Sequence, residues 1–262
     1  MSLTGKTLAN TYKDVLQMDN SNSGVDTTTR VVKDGEGTNS ALRLSDDVVL
    51  VRPQNDDTTA AFSVLTQGGT TLLAADSTNS KVSALGNYVN TQYAYFGVAN
   101  DVSDSWLANN HHPVPFAATM GAVANDQTTF GTGTDPATSF TTANSNDERA
   151  SDIVRYCWYL PSAISIDSIV SLEGADAASG DTTRFHALSY DLTSGSTSCL
   201  TNGTLLAHNS DVTNAGDEQP YLSVWTVDSA SVAAGKVILA FFKSDSINSD
   251  FSLQIRVKYH MT

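Results

Sequence analysis

Basic side chains are scarce in this chain: 14 lysines and arginines stand against 28 aspartates and glutamates in 262 residues, a formal net charge of -14. Such a surface repels a phosphate backbone, so no nucleic-acid partner is expected. Acidity of this kind suits a protein that must stay soluble when many copies crowd together. Cysteine is almost missing as well, and Cys157 and Cys199 alone do not make a disulfide framework. Cys157 sits in the apolar run 153–160 and reads as a buried small hydrophobe, which leaves the pair unbridged on the simplest reading. No apolar run approaches the roughly 20 residues of a membrane span, so membrane insertion is not expected. The opening Met-Ser-Leu-Thr-Gly-Lys lacks the basic-then-apolar pattern of a secretion signal, and the chain reads as one made and folded in a cytoplasm.

Catalytic signatures are absent too. The sequence holds no Gly-x-Ser-x-Gly elbow, no Walker loop, no Cys-x-x-Cys and no His-Glu-x-x-His. Carboxylate pairs such as Asp245 with Asp250, or Asp217 with Glu218, arise freely in an acidic chain and do not single out a glycosidase. The long parallel β-helix repeats that a depolymerising spike needs are missing. The expectation is a protein that is not an enzyme and carries no cofactor.

What is present points to strands. Charged residues make up only 16% of the chain, and Ser, Thr, Asn, Asp and Gly fill most polar positions, a composition that favours turns and strands over long surface helices. Two stretches repeat one phrase, Leu16-Gln-Met-Asp19-Asn-Ser-Asn22-Ser23-Gly-Val25 and Leu73-Ala-Ala-Asp76-Ser-Thr-Asn79-Ser80-Lys-Val82, offset by 76 − 19 = 57 positions. Each reads as a short apolar strand, a polar turn and the start of a second strand. A hairpin-like unit this thin cannot bury its own apolar side. Two copies are too few for a solenoid, so cover from neighbouring subunits is the expectation.

The opening 8–18 fits one face of a short helix or, from 14, a strand, and the pattern does not choose between them. Strands are expected at 41–44, 48–51, 62–65, 71–75 and 81–85, with turns at 55–59 and Gly68-Gly69 between them. Residues 1–86 then form an attachment segment and shaft, and 87–146, rich in aromatics and broken by Pro113, Pro115 and Pro136, an irregular neck. Residues 147–262 form a β-sandwich head with strand candidates at 153–160, 164–172, 183–192, 204–208, 221–227, 236–243 and 251–260. In the last, Phe251, Leu253, Ile255, Val257 and Tyr259 alternate with polar residues, as one core face requires. The run 237–242 is apolar on both faces and should be a central or an intersubunit strand.

The phrase Phe62-Ser-Val, Gly69-Thr-Thr-Leu-Leu73 and Asp76-Ser-Thr-Asn-Ser-Lys-Val82 resembles shaft segments of tail fibres and related virion appendage proteins of tailed bacteriophages. The C-terminal part is similar to a β-sandwich module that ends such proteins, through Trp158-Tyr, Phe185-His-Ala-Leu-Ser-Tyr190, Glu218-Gln219, Ala234-Gly-Lys-Val-Ile238 and Asn248-Ser-Asp250. The resemblance spans 8–82 and 152–260. It implies a mainly β homotrimer, a short N-terminal trimeric β-shaft followed by a jelly-roll-like antiparallel β-sandwich. The implied role is a non-enzymatic structural protein of the virion, assembled in the host cytoplasm: a tail fibre or spike joined to other virion proteins through its N-terminal segment and contributing to host attachment. A capsid-decorating head fibre or cement protein has the same build, and a carbohydrate-binding module is a third reading.

Ligand candidates are few. In a trimer, His111-His112 is the pair to consider for a metal, because a threefold axis can gather one imidazole from each chain, although neighbours in an extended segment point to opposite sides. A loop without metal is the simpler reading. Asp56-Asp57 and Asp176 read as solvated turns, since no full calcium loop surrounds them. Tyr190, Tyr221 and Trp225 are the candidate contacts for a host surface glycan or receptor, and Trp158, in an apolar run, reads as core.

Overall fold

The computed structural model describes residues 13, 15–18, 20, 21, 23–100, 107–117, 129–137, 153–175, 179–216, 219–245 and 251–262. Among these the protein is mainly β, with antiparallel pairing throughout and one turn of 3-10 helix at Val154–Tyr156. The chain divides into two compact units, Met1–Val89 and Asn90–Thr262.

In the first unit, β1 (Gln17–Met18), β2 (Arg30–Lys33), β3 (Asn39–Leu44) and β4 (Val49–Val51) form one meander. A second meander holds β5 (Phe62–Leu65), β6 (Thr71–Asp76), β7 (Lys81–Ala84) and β8 (Asn87–Tyr88). Turn chemistry sets their registers. At the β6–β7 turn the Asp76 carboxylate accepts from the Asn79 backbone N–H at 2.9 Å and from its side-chain amide at 2.8 Å. β7 stops one residue before the expected strand end because Leu85 and Gly86 take φ of 48° and 81°, the paired left-handed values of a two-residue hairpin turn.

The repeated phrase does not fold the same way twice. In the second copy β7 begins directly after the turn, with Asp76 opposite Lys81. In the first copy, Met18 on β1 pairs with Val32 on β2, so Val25 falls in the connection between them. That connection is knit by polar groups: Asn20 donates to the Gly24 carbonyl at 2.6 Å, and the Asp26 carboxylate accepts from the Thr28 N–H at 2.8 Å and from the Arg30 guanidinium. Asp19 and Asn22 of the phrase, and residues 8–12 and 14 of the helix-or-strand opening, lie outside the described residues.

The second unit is a sandwich. Its strands are β9 (Thr91–Asn100), β10 (His112–Val114), β11 (Trp158–Tyr159), β12 (Ile164–Ala175), β13 (Thr182–Leu192) and β14 (Leu200–His208). They continue with β15 (Val212–Thr213), β16 (Gln219–Val224), β17 (Thr226–Val227), β18 (Ser231–Val232), β19 (Lys236–Ser244) and β20 (Phe251–Met261). The smaller sheet runs β16-β12-β20-β9 with β18 on β12; the larger runs β10-β19-β13-β14-β17, with β11 on β19 and β15 on β13. Three pairs are nested, β12 with β20, β13 with β19 and β14 with β17, the wrapping of a jelly roll. The topology departs from that pattern where β13 and β14 remain hydrogen-bonded neighbours in one sheet.

Between the sheets lies a core to which the smaller contributes Phe96, Ile169, Leu253 and Ile255 and the larger Phe185, Leu206, Ile238 and Phe242. The larger sheet is covered on its other face as well. There Leu188, Tyr190, Leu239 and Phe241 pack under Phe130, Ile153 and Tyr156. β19 is therefore apolar on both faces because both are buried by its own chain, which makes it the central strand rather than an intersubunit one.

Three expectations need correction. Residues 87–146 are not a neck where they are described: β9 forms an edge of the smaller sheet along ten residues and β10 pairs with β19. The reason is period-two burial, with Ala94, Phe96 and Val98 inward and Tyr93 and Tyr95 outward. The run 153–160 is a 3-10 turn followed by the two-residue β11, not one strand. The run 221–227 breaks at Trp225, where the chain leaves the smaller sheet as β16 and enters the larger as β17.

Candidate self-association surface

The first unit leaves its apolar strands bare. Among its described residues Val32 is the one buried hydrophobe, while Val49, Leu50, Val51, Phe62, Val64, Leu65 and Val82 are all exposed. Register explains how they are arranged. Cross-strand rows Phe62–Ala75–Val82 and Val64–Leu73–Ala84 stand on one face of the second meander, and every side chain in both rows is apolar. The opposite face carries the row Ser63–Ala74–Ser83–Tyr88. The first meander repeats the scheme: Leu42 faces Val51 and Leu44 faces Val49, joining an apolar face that Arg30, opposite Leu44, closes with its bond to Asp26. These are sheets with one oily side and nothing described in the unit to cover it.

A smaller apolar area lies on the second unit. β16 is an edge strand with Leu222 and Val224 each 72% exposed, and its neighbour β12 adds the exposed Leu172 directly opposite Leu222. Across β20 the same face turns basic, with Arg256 stacked over the Tyr93 ring at 5.5 Å.

The residues singled out for ligands are mostly interior. His111 is fully buried and His112 is 2% exposed, so neither imidazole stands on a surface where symmetry-related copies pool their ligands. His111 Nε2 lies 3.2 Å from the Gly133 carbonyl, and His112 Nε2 accepts the Leu107 N–H at 2.9 Å. Burial holds the His111 imidazole down at about 4, which keeps it neutral. No cluster of three or more His, Cys, Asp or Glu placed to hold a metal occurs among the described residues.

Tyr190 and Trp225 are core residues, not glycan contacts. The Tyr190 hydroxyl donates to the Ala137 carbonyl at 2.9 Å, burial pushes its pKa up, and its ring packs near Phe130 and Phe241. Trp225 stacks on Phe185 and donates its indole N–H to Ser171 Oγ at 2.9 Å, which suits the crossing between sheets. The spacing of four that put Tyr221 and Trp225 on one strand face fails because the strand ends between them. Tyr221 stays half-buried with its hydroxyl donating to Gln219 Oε1 at 2.7 Å. Trp158 is core, beside Phe116 and Tyr259. Cys157 and Cys199 are free thiols packed against the second core cluster, and burial pushes Cys157 up to about 12, out of reach of thiolate chemistry. Asp176, Asp217, Glu218 and Asp250 lie outside the described residues, while Asp56 and Asp57 are exposed.

Sequence reasoning missed the buried polar groups that organise the second unit. Glu173, opposite Tyr221 on β12, turns inward and accepts the Thr183 hydroxyl of β13 on both oxygens at 2.8 Å, a bond between the two sheets. Burial pushes this carboxyl up to about 7, against the lowering effect of the Thr183 bond. Its inward position follows from the alternation along β12, Ile169, Ser171 and Glu173 all being buried. Set against known proteins, the chain matches no family model and no curated protein.

Proposed function

We propose that this protein is a non-enzymatic structural component of a bacteriophage virion, a homotrimeric tail fibre or spike whose front meanders complete one another between copies. The observation that carries the reading is the pair of wholly apolar rows, Phe62–Ala75–Val82 and Val64–Leu73–Ala84, left uncovered in the first unit. Contiguous apolar surface of this kind marks an interaction site, and covering one large side chain contributes about 1.5–3 kcal/mol. Association also protects short strand edges that otherwise invite aggregation. The number three and the particle come from the resemblance of the shaft phrases to phage appendage proteins.

Light scattering on the purified full chain tests the association: three chain masses are expected, with Phe62→Glu and Val82→Glu together giving a single chain mass. Both positions are exposed, so the charges meet water in the separated chain. A wild-type chain that scatters as one mass overturns the reading. Antibody labelling of intact particles tests the location. Label on the tail supports a fibre or spike, and label on the shell makes the protein a capsid-decorating fibre of the same build.

A further inference from the structure

Residues 129–137, which have no regular secondary structure, form a strap over the outer face of the larger sheet. Phe130 is its apolar anchor, packed near Tyr190 and Phe241. Its polar fastening is His111, whose N–H donates to the Gly131 carbonyl at 3.0 Å, whose carbonyl accepts the Phe130 N–H at 2.9 Å, and whose ring Nε2 meets the Gly133 carbonyl. The alternation along β13 that turns Leu188 and Tyr190 to this face turns His186 there too. The His111 and His186 rings stand edge to face with centroids 5.0 Å apart, and both are buried. A carbonyl only accepts, so the neutral His111 ring carries its proton on Nε2 and a lone pair on Nδ1. Nδ1 of His111 and Nδ1 of His186 are each buried with no hydrogen-bond partner.

A charged imidazole carries a proton on both nitrogens, so protonating either ring creates a buried N–H with nothing to receive it. A charged donor left unmet costs more than a neutral one. The surrounding charges oppose protonation as well. His111 faces Lys243 of β19, the adjacent His112 and Asp135 of the strap, while His186 faces Arg184 on its own strand, His208 of β14 and the same Asp135. Asp135 lies 3.2 Å from His186 Nε2 but is 57% exposed, and Arg184 is itself paired with Asp211. Burial above all holds both imidazoles down at about 4 against an ordinary 6.5. We propose that the His111–His186 pair makes the strap acid-labile: proton uptake drives the two rings apart, the strap lifts, and the apolar face around Tyr190 and Phe241 meets water. Released imidazoles take up protons from about 6.5 downward and held ones only near 4, so the closed strap keeps its full stability above 6.5 and loses it as pH falls through that window. With two rings released, the open fraction rises by up to about a hundredfold per pH unit. The device lies within one chain and does not rest on the association of copies.

Amide hydrogen exchange on the full chain, corrected for the chemical rate at each pH, tests it. Between about pH 6.5 and 4.5 the amides of 129–137 are expected to lose protection by about a hundredfold or more, with those of β20 unchanged. His186→Gln, whose amide takes no charge, should cut the dependence to at most about tenfold per pH unit. Should that variant loosen the strap at every pH, the wild type decides through NMR titration of its imidazole ring protons. His111 and His186 are expected to stay neutral for as long as the strap amides are protected and to charge only where protection is lost. Strap amides still protected at pH 4.5, imidazoles that charge while those amides stay protected, an undiminished pH dependence in His186→Gln, or β20 losing protection in step with the strap each overturns the proposal.

Discussion

The two units solve the same problem with opposite amounts of chain. In the second, long strands stack in two sheets, and a further layer of Phe130, Ile153 and Tyr156 closes the outer face of β19, so that Phe241 and Phe242 on neighbouring positions are both buried. In the first, strands of similar alternation and similar residues are too short and too few to stack, and Val49 is left 73% exposed. The difference lies less in hydrophobicity than in what is available to face it. Burial, not apolar content, decides which unit is stable alone.

The comparison breaks most visibly at Phe241. Phe241→Ala removes a ring packed against Phe130 and Tyr190 and should cost about 3–5 kcal/mol in urea unfolding of the second unit, with the separated first unit unaffected. A loss as small as that of a surface change would deny the second layer its role. Next comes Glu173. Its carboxyl is raised in the folded protein from an ordinary 4.5 to about 7, so its contribution is fully present below the ordinary value and is lost as pH rises through 7. Glu173→Gln should therefore stabilise the sandwich by about 3 kcal/mol at pH 8 relative to wild type, and by little at pH 4. Equal differences at both pH values would show that the carboxyl titrates normally. The smallest effect on stability belongs to the first unit. Val49→Ala should change unfolding of dissociated chains by no more than about 0.5 kcal/mol, yet weaken their association measurably by sedimentation. If the same change unfolds the separated chain, the contrast between the units disappears.

Legibility in the sequence followed the same division. Strict alternation in 251–260 located β20 and its core face, and the doubly apolar 237–242 located a strand covered on both sides. Both are local patterns, which a chain displays wherever its environment is uniform along the strand. β9 carries an equally clear alternation, but its aromatic outer face and the prolines beyond it read as irregular chain. Sites were harder. Tyr190 and Trp225 look like a glycan platform until their hydroxyl and indole are seen to be used inside the fold, and their partners Ala137 and Ser171 stand 53 and 54 positions away. No spacing rule reaches that far.

The pairing of β9 with β20 has a bearing on birth as well as shape. Thr91 meets His260 and Asn100 meets Phe251, so the first strand of the sandwich waits on the ribosome for the last. Through that interval β12 too lacks β20, while the hairpins of the front half, whose partners are adjacent in sequence, have already closed. On the association proposed above, sibling chains growing on one message would meet through those early hairpins before any of them owns a finished head.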